Sequence, residues 1–520
     1  MSLAIGRIGY FAAVLASSLL SSSAMAVTAE APAGSFRGVQ QDHLSSFRGI
    51  PYAQAPTGEL RWREPMALPR LEGLINASAY GPICPQPNNP DFADYPQSED
   101  CLSLNVTTPD LKPEHSLPVM FWIHGGSFQK GTGRWVKTEA SRLAAKGVVV
   151  VTINYRLGLL GRFAHPALSA ELHNQPRANY GLMDQVMALR WVHDNIHSFG
   201  GNPENVTIFG YSTGGVSVNY LMAAPSARGL FHRAIAQSSA VLIPYSRHIS
   251  QASGGLSALE AEGLELARQL EIGNNAEAVA RLRSLSVAEV LALPRPRNST
   301  NPVIDGTFLV EDLAASFSSG RTHPVDYLAG VDSWEASLTK PLQRMPLPVF
   351  TGMMVSTYGF TEASLQKQYS LDRDTSLVMG EMFADSFHGS TLYLAQQTAA
   401  HKRNSFLYWF DYLPPAADDI PGVPHGGEVP YVFGNLQHRD RIGSPPETAV
   451  DREVSDLTMS YWVNFARSGD PNGEDLPAWP EVTVGGRQWM RIGAQPRVQS
   501  NLLSARMDFW LDHYEQLKAQ

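Results

Sequence analysis

Apolar residues in this chain gather in short unbroken runs, with turn residues and stretches of helical spacing between them. The runs at 118–123, 147–154, 206–209, 233–238, 326–330 and 405–411 are rich in β-branched and aromatic side chains and show little polar alternation. Strands covered on both faces have this signature. A further strand is expected at 102–107, and short strands and turns over 34–75. Between the runs, 139–146, 179–199, 216–224 and 379–401 read as helices. In 179–199, Tyr180, Met183, Val186, Met187, Trp191 and Ile196 recur at helical spacing. Strand and helix alternate, which predicts an α/β fold with a large, mostly parallel sheet and right-handed crossovers. Residues 255–295, rich in Ala, Leu, Glu and Arg, are expected as a helical insertion beside the sheet. Segments 457–467 and 507–517 are expected as closing helices.

The N-terminus departs from this pattern. Arg7, an apolar run over 8–20 and the A-x-A triplet Ala24-Met25-Ala26 read as a secretory signal cleaved after Ala26. The run is too short to span a bilayer comfortably, so stable membrane insertion is not expected. Residues 27–520 then form a single exported α/β domain. The net charge of −9 comes from interspersed charges without a basic cluster, which argues against a nucleic-acid partner. Cys84 and Cys101 are the two cysteines, and they flank a proline-rich segment. In an exported chain a close pair points to a disulfide; two free thiols are the alternative, which export disfavours.

Candidate chemistry centres on the strand 206–209. It runs into Gly210-Tyr211-Ser212-Thr213-Gly214 and then into a helix. Strand, tight turn and helix are the setting of a nucleophile elbow, and the two glycines remove Cβ atoms that would clash there. Ser212 is the candidate nucleophile. The strand 118–123 runs into His124-Gly125-Gly126-Ser127-Phe128, where glycines let backbone N–H groups approach a substrate oxygen. His193-Asp194-Asn195-Ile196-His197 has the spacing of a zinc motif, but Asp194 stands where a glutamate is needed and no third ligand is evident. No metal or organic cofactor is expected.

Several ordered blocks carry a resemblance. They are Phe47-Arg48-Gly49-Ile50-Pro51-Tyr52-Ala53, Ser98-Glu99-Asp100-Cys101-Leu102-Ser103-Leu104-Asn105, His124-Gly125-Gly126, Asn154-Tyr155-Arg156-Leu157-Gly158, Asn179-Tyr180-Gly181-Leu182-Met183-Asp184-Gln185, the Ser212 elbow and the His425 loop. Together they resemble the type-B carboxylesterases, the group of cholinesterases and bile-salt-type lipases, on an α/β-hydrolase fold. The resemblance implies hydrolysis of small-molecule esters by a triad of Ser212, Glu335 and His425. It implies an oxyanion hole made by the N–H groups of Gly126, Ser127 and Thr213, and it supports a Cys84–Cys101 bridge. Glu335 and His425 each follow an expected strand, which suits a site at the C-terminal edge of a sheet. The nearby acids Asp326 and Asp332 are expected to be solvated or capping, and Glu428 structural.

Some positions depart from the family pattern. Tyr211 stands where a glutamate is usual, Thr213 where an alanine is usual, and Ser127 where a third glycine is usual. Backbone donation survives at the last two. Loss of the carboxylate at Tyr211 predicts low selectivity for cationic esters and better tolerance of neutral or anionic ones. Arg162 stands in a commonly apolar segment, to pair with a carboxylate or to line a pocket. Lipase, polyester or plasticiser esterase and amidase activities use the same chemistry. A non-catalytic binding protein is the reading from another class, although such relatives typically lack a triad member.

Overall fold

The computed structural model describes residues 24–172, 177–239, 247–252, 256–294, 301–342, 345–417, 420–439 and 446–518. The expected leader therefore lies outside the described residues, except for Ala24, Met25 and Ala26.

Thirteen strands form one sheet among the described residues. In chain order they are β1 (Met25–Ala31), β2 (Gly34–Gln41), β3 (Leu44–Pro51), β4 (Leu74–Asn76), β5 (Ser103–Thr108), β6 (Leu117–Ile123) and β7 (Val149–Ile153). There follow β8 (Gly201–Tyr211), β9 (Arg233–Gln237), β10 (Asp326–Asp332), β11 (Ser405–Phe410), β12 (Gln488–Ile492) and β13 (Arg497–Ser500). The spatial order is β1-β2-β3-β5-β7-β6-β8-β9-β10-β11-β12-β13, with β4 beside β2. Pairing from β7 through β12 is parallel, while β1, β2, β3 and β5 join antiparallel. The parallel strands are the continuous apolar runs of the sequence: every residue of β7 is buried. Helices on both faces exclude water, so such strands have no polar face to show.

The expected helices appear with shifted ends. They span Tyr180–Asn195, Thr213–Ala223, Thr375–Ala400, Ala449–Ser468 and Ser504–Lys518. The first finishes as a 3-10 turn over Ile196–Phe199, closed by Gly200 at φ 82°. The stretch 139–146 holds only the single turn Ser141–Ala144. Within 255–295 three short helices occur, Leu259–Arg268, Ala278–Ser284 and Val287–Ala292. Strands β1, β12 and β13 were not expected. All three lie at the two ends of the sheet order, and pairing to a neighbour makes them strands where their own pattern is weak.

Buried polar contacts join the sequence blocks. Arg156 donates to Asp184 through Nε at 2.8 Å and Nη2 at 2.7 Å, and both side chains are out of water. Arg61 Nε donates to Glu99 at 2.8 Å, and Tyr52 Oη donates to the Asn154 carbonyl at 2.6 Å. A buried charge is tolerated when it is paired with this geometry. Cys84 and Cys101 form a disulfide. No helix among the described residues is long and apolar enough to cross a membrane.

Candidate active site

Parallel strands deliver their C-terminal ends to one edge of the sheet, and each candidate residue leaves from that edge. Ser212 follows β8 directly and adopts φ 55°, ψ −129°. A non-glycine residue with positive φ is strained, and such strain persists only where the surroundings fix it. Here the Ser212 N–H donates to the Gln237 carbonyl at 2.8 Å, and the Ser212 carbonyl accepts from Val216. The neighbouring glycines make the turn possible. A Cβ on Gly210 would lie 2.5 Å from the Ile123 carbonyl oxygen, and one on Gly214 would lie 2.1 Å from it. The helix Thr213–Ala223 begins immediately after Ser212, so the Thr213 N–H has no acceptor within its own helix.

Glu335 lies three residues past the end of β10, and His425 lies in the loop after β11. Two segments zip together to join them. Trp334 N–H donates to the Val423 carbonyl at 2.8 Å, and Val423 N–H to Ser333 Oγ at 2.9 Å. His425 N–H donates to Ser337 Oγ at 3.0 Å. Across this seam His425 Nδ1 stands 2.5 Å from Glu335 Oε2. Glu335 is fully buried and His425 is 4% exposed. Burial pushes the Glu335 carboxyl up, but the His425 ring, the Ser238 hydroxyl and the Asp332 N–H together outweigh it, and its pKa falls below the usual value.

The loop 124–128 passes over the elbow. A Cβ on Gly125 would lie 2.7 Å from the Tyr211 carbonyl oxygen and 3.0 Å from Ser212 Cβ. Phe128 N–H donates to Thr213 Oγ1 at 3.4 Å, so the loop also reaches the start of the helix. Gly126, Ser127 and Phe128 all have positive φ, at 119°, 60° and 54°. His124 is stacked on Tyr155 at 4.3 Å, and the Tyr155 hydroxyl donates to the His124 carbonyl at 2.7 Å. Burial pushes the His124 imidazole down to about 4.

Tyr211 is buried with its ring stacked on Trp122 and Trp135, at 6.0 and 6.4 Å. Its ring centroid is 6.0 Å from that of His425. Arg162 is buried too, its guanidinium pushed down to about 9 by burial, with Glu262 opposing the shift. It lines a small pocket with Phe128, Asn179 and Pro302, the second of its two expected roles.

Of the two roles expected for Asp332, solvated or capping, it takes the capping one. It is fully buried, and its Oδ2 accepts from Gly426 N–H at 2.7 Å and Gly427 N–H at 3.2 Å. Asp326 is half-buried and accepts from Asn404 N–H at 3.3 Å. His193 is exposed and lies 2.9 Å from Asp194, away from this edge of the sheet.

The carboxylesterase family profile matches residues 24–510. The chain belongs to the carboxylesterase family. It is a carboxylic ester hydrolase on an α/β-hydrolase fold. It is 34% identical to an acylcarnitine hydrolase of Mus musculus, with 90% of this chain and 86% of that protein covered. It is 33% identical to the para-nitrobenzyl esterase of Bacillus subtilis (strain 168), covering 86% of this chain and 92% of that one. A fumonisin B1 esterase of Sphingopyxis macrogoltabida is also 33% identical, over 89% of this chain and 85% of its own. A solved PNB esterase superposes with a TM-score of 0.82 at 30% identity, covering 93% of this chain and 99% of that one.

Proposed function

We propose that this carboxylesterase is an exported serine esterase that works through Ser212, His425 and Glu335 with an acyl-enzyme intermediate. The observation that carries the reading is the buried His425–Glu335 contact at 2.5 Å, on the same sheet edge as a serine held at φ 55°. A neutral imidazole takes the Ser212 proton as Oγ bonds to the ester carbonyl carbon. Glu335 stays ionised and stabilises the imidazolium that forms. The negative oxygen of the tetrahedral intermediate takes N–H groups from Gly126, Ser127 and Thr213. The intermediate collapses as the C–O bond to the alcohol breaks, and His425 returns the proton to the leaving oxygen. Water then attacks the acyl-enzyme by the same route and frees Ser212.

Tyr211 sets the substrate charge. An aromatic ring stacked on Trp122 stands where a carboxylate would favour cationic esters, so selectivity for cationic esters is low and neutral or anionic ones are better tolerated. Export is supported by the leader pattern at the N-terminus and by the Cys84–Cys101 bridge, since cytosolic chains seldom keep a disulfide. Incubation with a p-nitrophenyl ester and with a fluorophosphonate probe tests the reading. Turnover together with a covalent adduct on Ser212 is expected. Turnover in a Ser212→Ala variant, or an adduct on another residue, would overturn it.

A further inference from the structure

Two buried carboxyl groups behind the triad are not used by the chemistry above. Asp332 ends β10, and Glu428 lies three residues past His425. Both are fully buried. Asp332 is tied to the acid and base segments: its N–H donates to Glu335 Oε1 at 3.0 Å, and its Oδ2 holds Gly426 and Gly427. Glu428 is tied to the nucleophile side. Its Oε1 accepts from Gln237 Nε2 at 3.1 Å, and the Gln237 carbonyl in turn holds the Ser212 N–H at 2.8 Å. Gln237 Oε1 is fixed by Trp462 Nε1 at 3.3 Å, which sets the orientation of the amide.

That leaves one oxygen on each carboxyl. Asp332 Oδ1 and Glu428 Oε2 are both buried without a protein donor. Glu428 directly follows Gly427, whose N–H Asp332 Oδ2 holds, and its charge bears on the Asp332 carboxyl. Two acceptor-only groups so placed, both cut off from water, are mutually repulsive unless a proton lies between them. Among the described residues, the titratable groups that act on the pair include one that can carry a positive charge, the His425 imidazole. The groups are Glu335, His425 and the Tyr408 phenol under β10. Burial pushes the Asp332 carboxyl well up, and Glu428 and Glu335 add to that.

We propose that Asp332 and Glu428 share a single proton and act as positioning residues, locking the His425 loop to the Glu335 segment and to the Ser212 elbow. This role rests on the triad reading above. With the proton in place, a continuous chain runs from Glu335 through Asp332, Glu428 and Gln237 to Ser212. When the proton leaves to hydroxide at high pH, two adjacent carboxylates repel, and the loop carrying His425 is pushed off its seam. Activity then falls on the alkaline side without any change in the triad residues.

An asparagine amide at 332 supplies a permanent hydrogen in place of the shared proton. Three proteins are compared over the pH range on a neutral p-nitrophenyl ester: the parent, Asp332→Asn and Asp332→Ala. Asp332→Ala is expected to lose about 10²-fold in kcat with little change in KM, the cost of a displaced base. Asp332→Asn is expected to recover at least about tenfold of that loss, and its alkaline limb to move up by about one pH unit or more. An alkaline limb that stays where the parent has it, or an asparagine variant no better than alanine, overturns the proposal. A second measurement does not depend on these variants folding. The infrared difference between parent and Glu428→Gln at neutral pH should show a protonated carboxylic acid present in the parent and lost in the variant. Absence of that band in the parent overturns the shared proton. A band without fluorophosphonate labelling of Ser212 would leave the pair standing and sink the triad instead.

Discussion

His425 Nδ1 and Glu335 Oε2 stand 2.5 Å apart in a seam that water does not enter. A carboxylate in that position fixes the ring tautomer and leaves Nε2 able to accept a proton. An amide in its place can stabilise the wrong tautomer with almost no change in shape. Glu335→Gln is therefore expected to lower kcat by about 10³–10⁴-fold with KM little moved. Steady-state kinetics on a p-nitrophenyl ester decide it, and a loss below about tenfold would contradict the assignment.

Tyr211 tests substrate charge. Tyr211→Glu places a carboxylate about one ring's width from His425, where it favours a cationic alcohol group. The ratio of kcat/KM for a cationic ester over a neutral one of matched size is expected to rise by about tenfold, roughly one ion pair in a partly desolvated site. If the ratio stays put, this position does not set specificity.

Gly125 tests the approach of the oxyanion loop to the elbow. A methyl group there meets the Tyr211 carbonyl oxygen at 2.7 Å and Ser212 Cβ at 3.0 Å, so the loop must move away. Gly125→Ala is expected to cost about 10²–10³-fold in kcat, the loss of one oxyanion donor. Circular dichroism and thermal unfolding on the same sample separate this from misfolding.

His124 gives a pH dependence of stability. The folded protein takes up this proton only near pH 4, while the unfolded chain takes it up near 6.5. Between those values the unfolded state binds more protons, so falling pH favours unfolding. The contribution is whole above about pH 6.5, declines by about 3 kcal/mol down to about pH 4, and is constant below that. Urea midpoints of the parent and of His124→Asn, measured across this window, should diverge as pH falls. Parallel curves would show that His124 carries no such dependence.

The Cys84–Cys101 bridge closes a loop with a sequence separation of 17. Restricting a loop of that length in the unfolded chain stabilises the fold by roughly 3 kcal/mol. A Cys84→Ser, Cys101→Ser double variant is expected to lose that amount in chemical denaturation. The parent under reducing conditions should show a similar loss.

How much of this was legible beforehand follows from what each signal measures. Fully buried parallel strands such as β7 and β8 announce themselves, because burial on both faces demands an unbroken apolar run. Strands β1, β12 and β13 near the sheet's ends do not, because they are short or largely exposed and the neighbouring strand supplies the pairing. Glycine spacing around Ser212 was legible for a local reason: the turn itself has no room for a Cβ at Gly210 or Gly214. The burial of Asp332 was not. An aspartate next to a serine near a strand end reads as solvated or capping, and nothing in its own neighbourhood tells that it will hold Gly426 and Gly427, more than ninety residues further on, out of water.

The sequence by itself determined the α/β alternation, the elbow and, through its ordered blocks, the candidate residues of the site. Those features are local, set by patterns within about ten residues of chain. Only the tertiary structure decided that the Glu335 and His425 segments zip together through Ser333 and Ser337, and that Tyr211 lies stacked on Trp122. It also decided that two further carboxyls, Asp332 and Glu428, are buried behind His425 and Glu335. Contacts between chain segments far apart in sequence depend on strand order and on which side chains are left without water, and no local pattern encodes either.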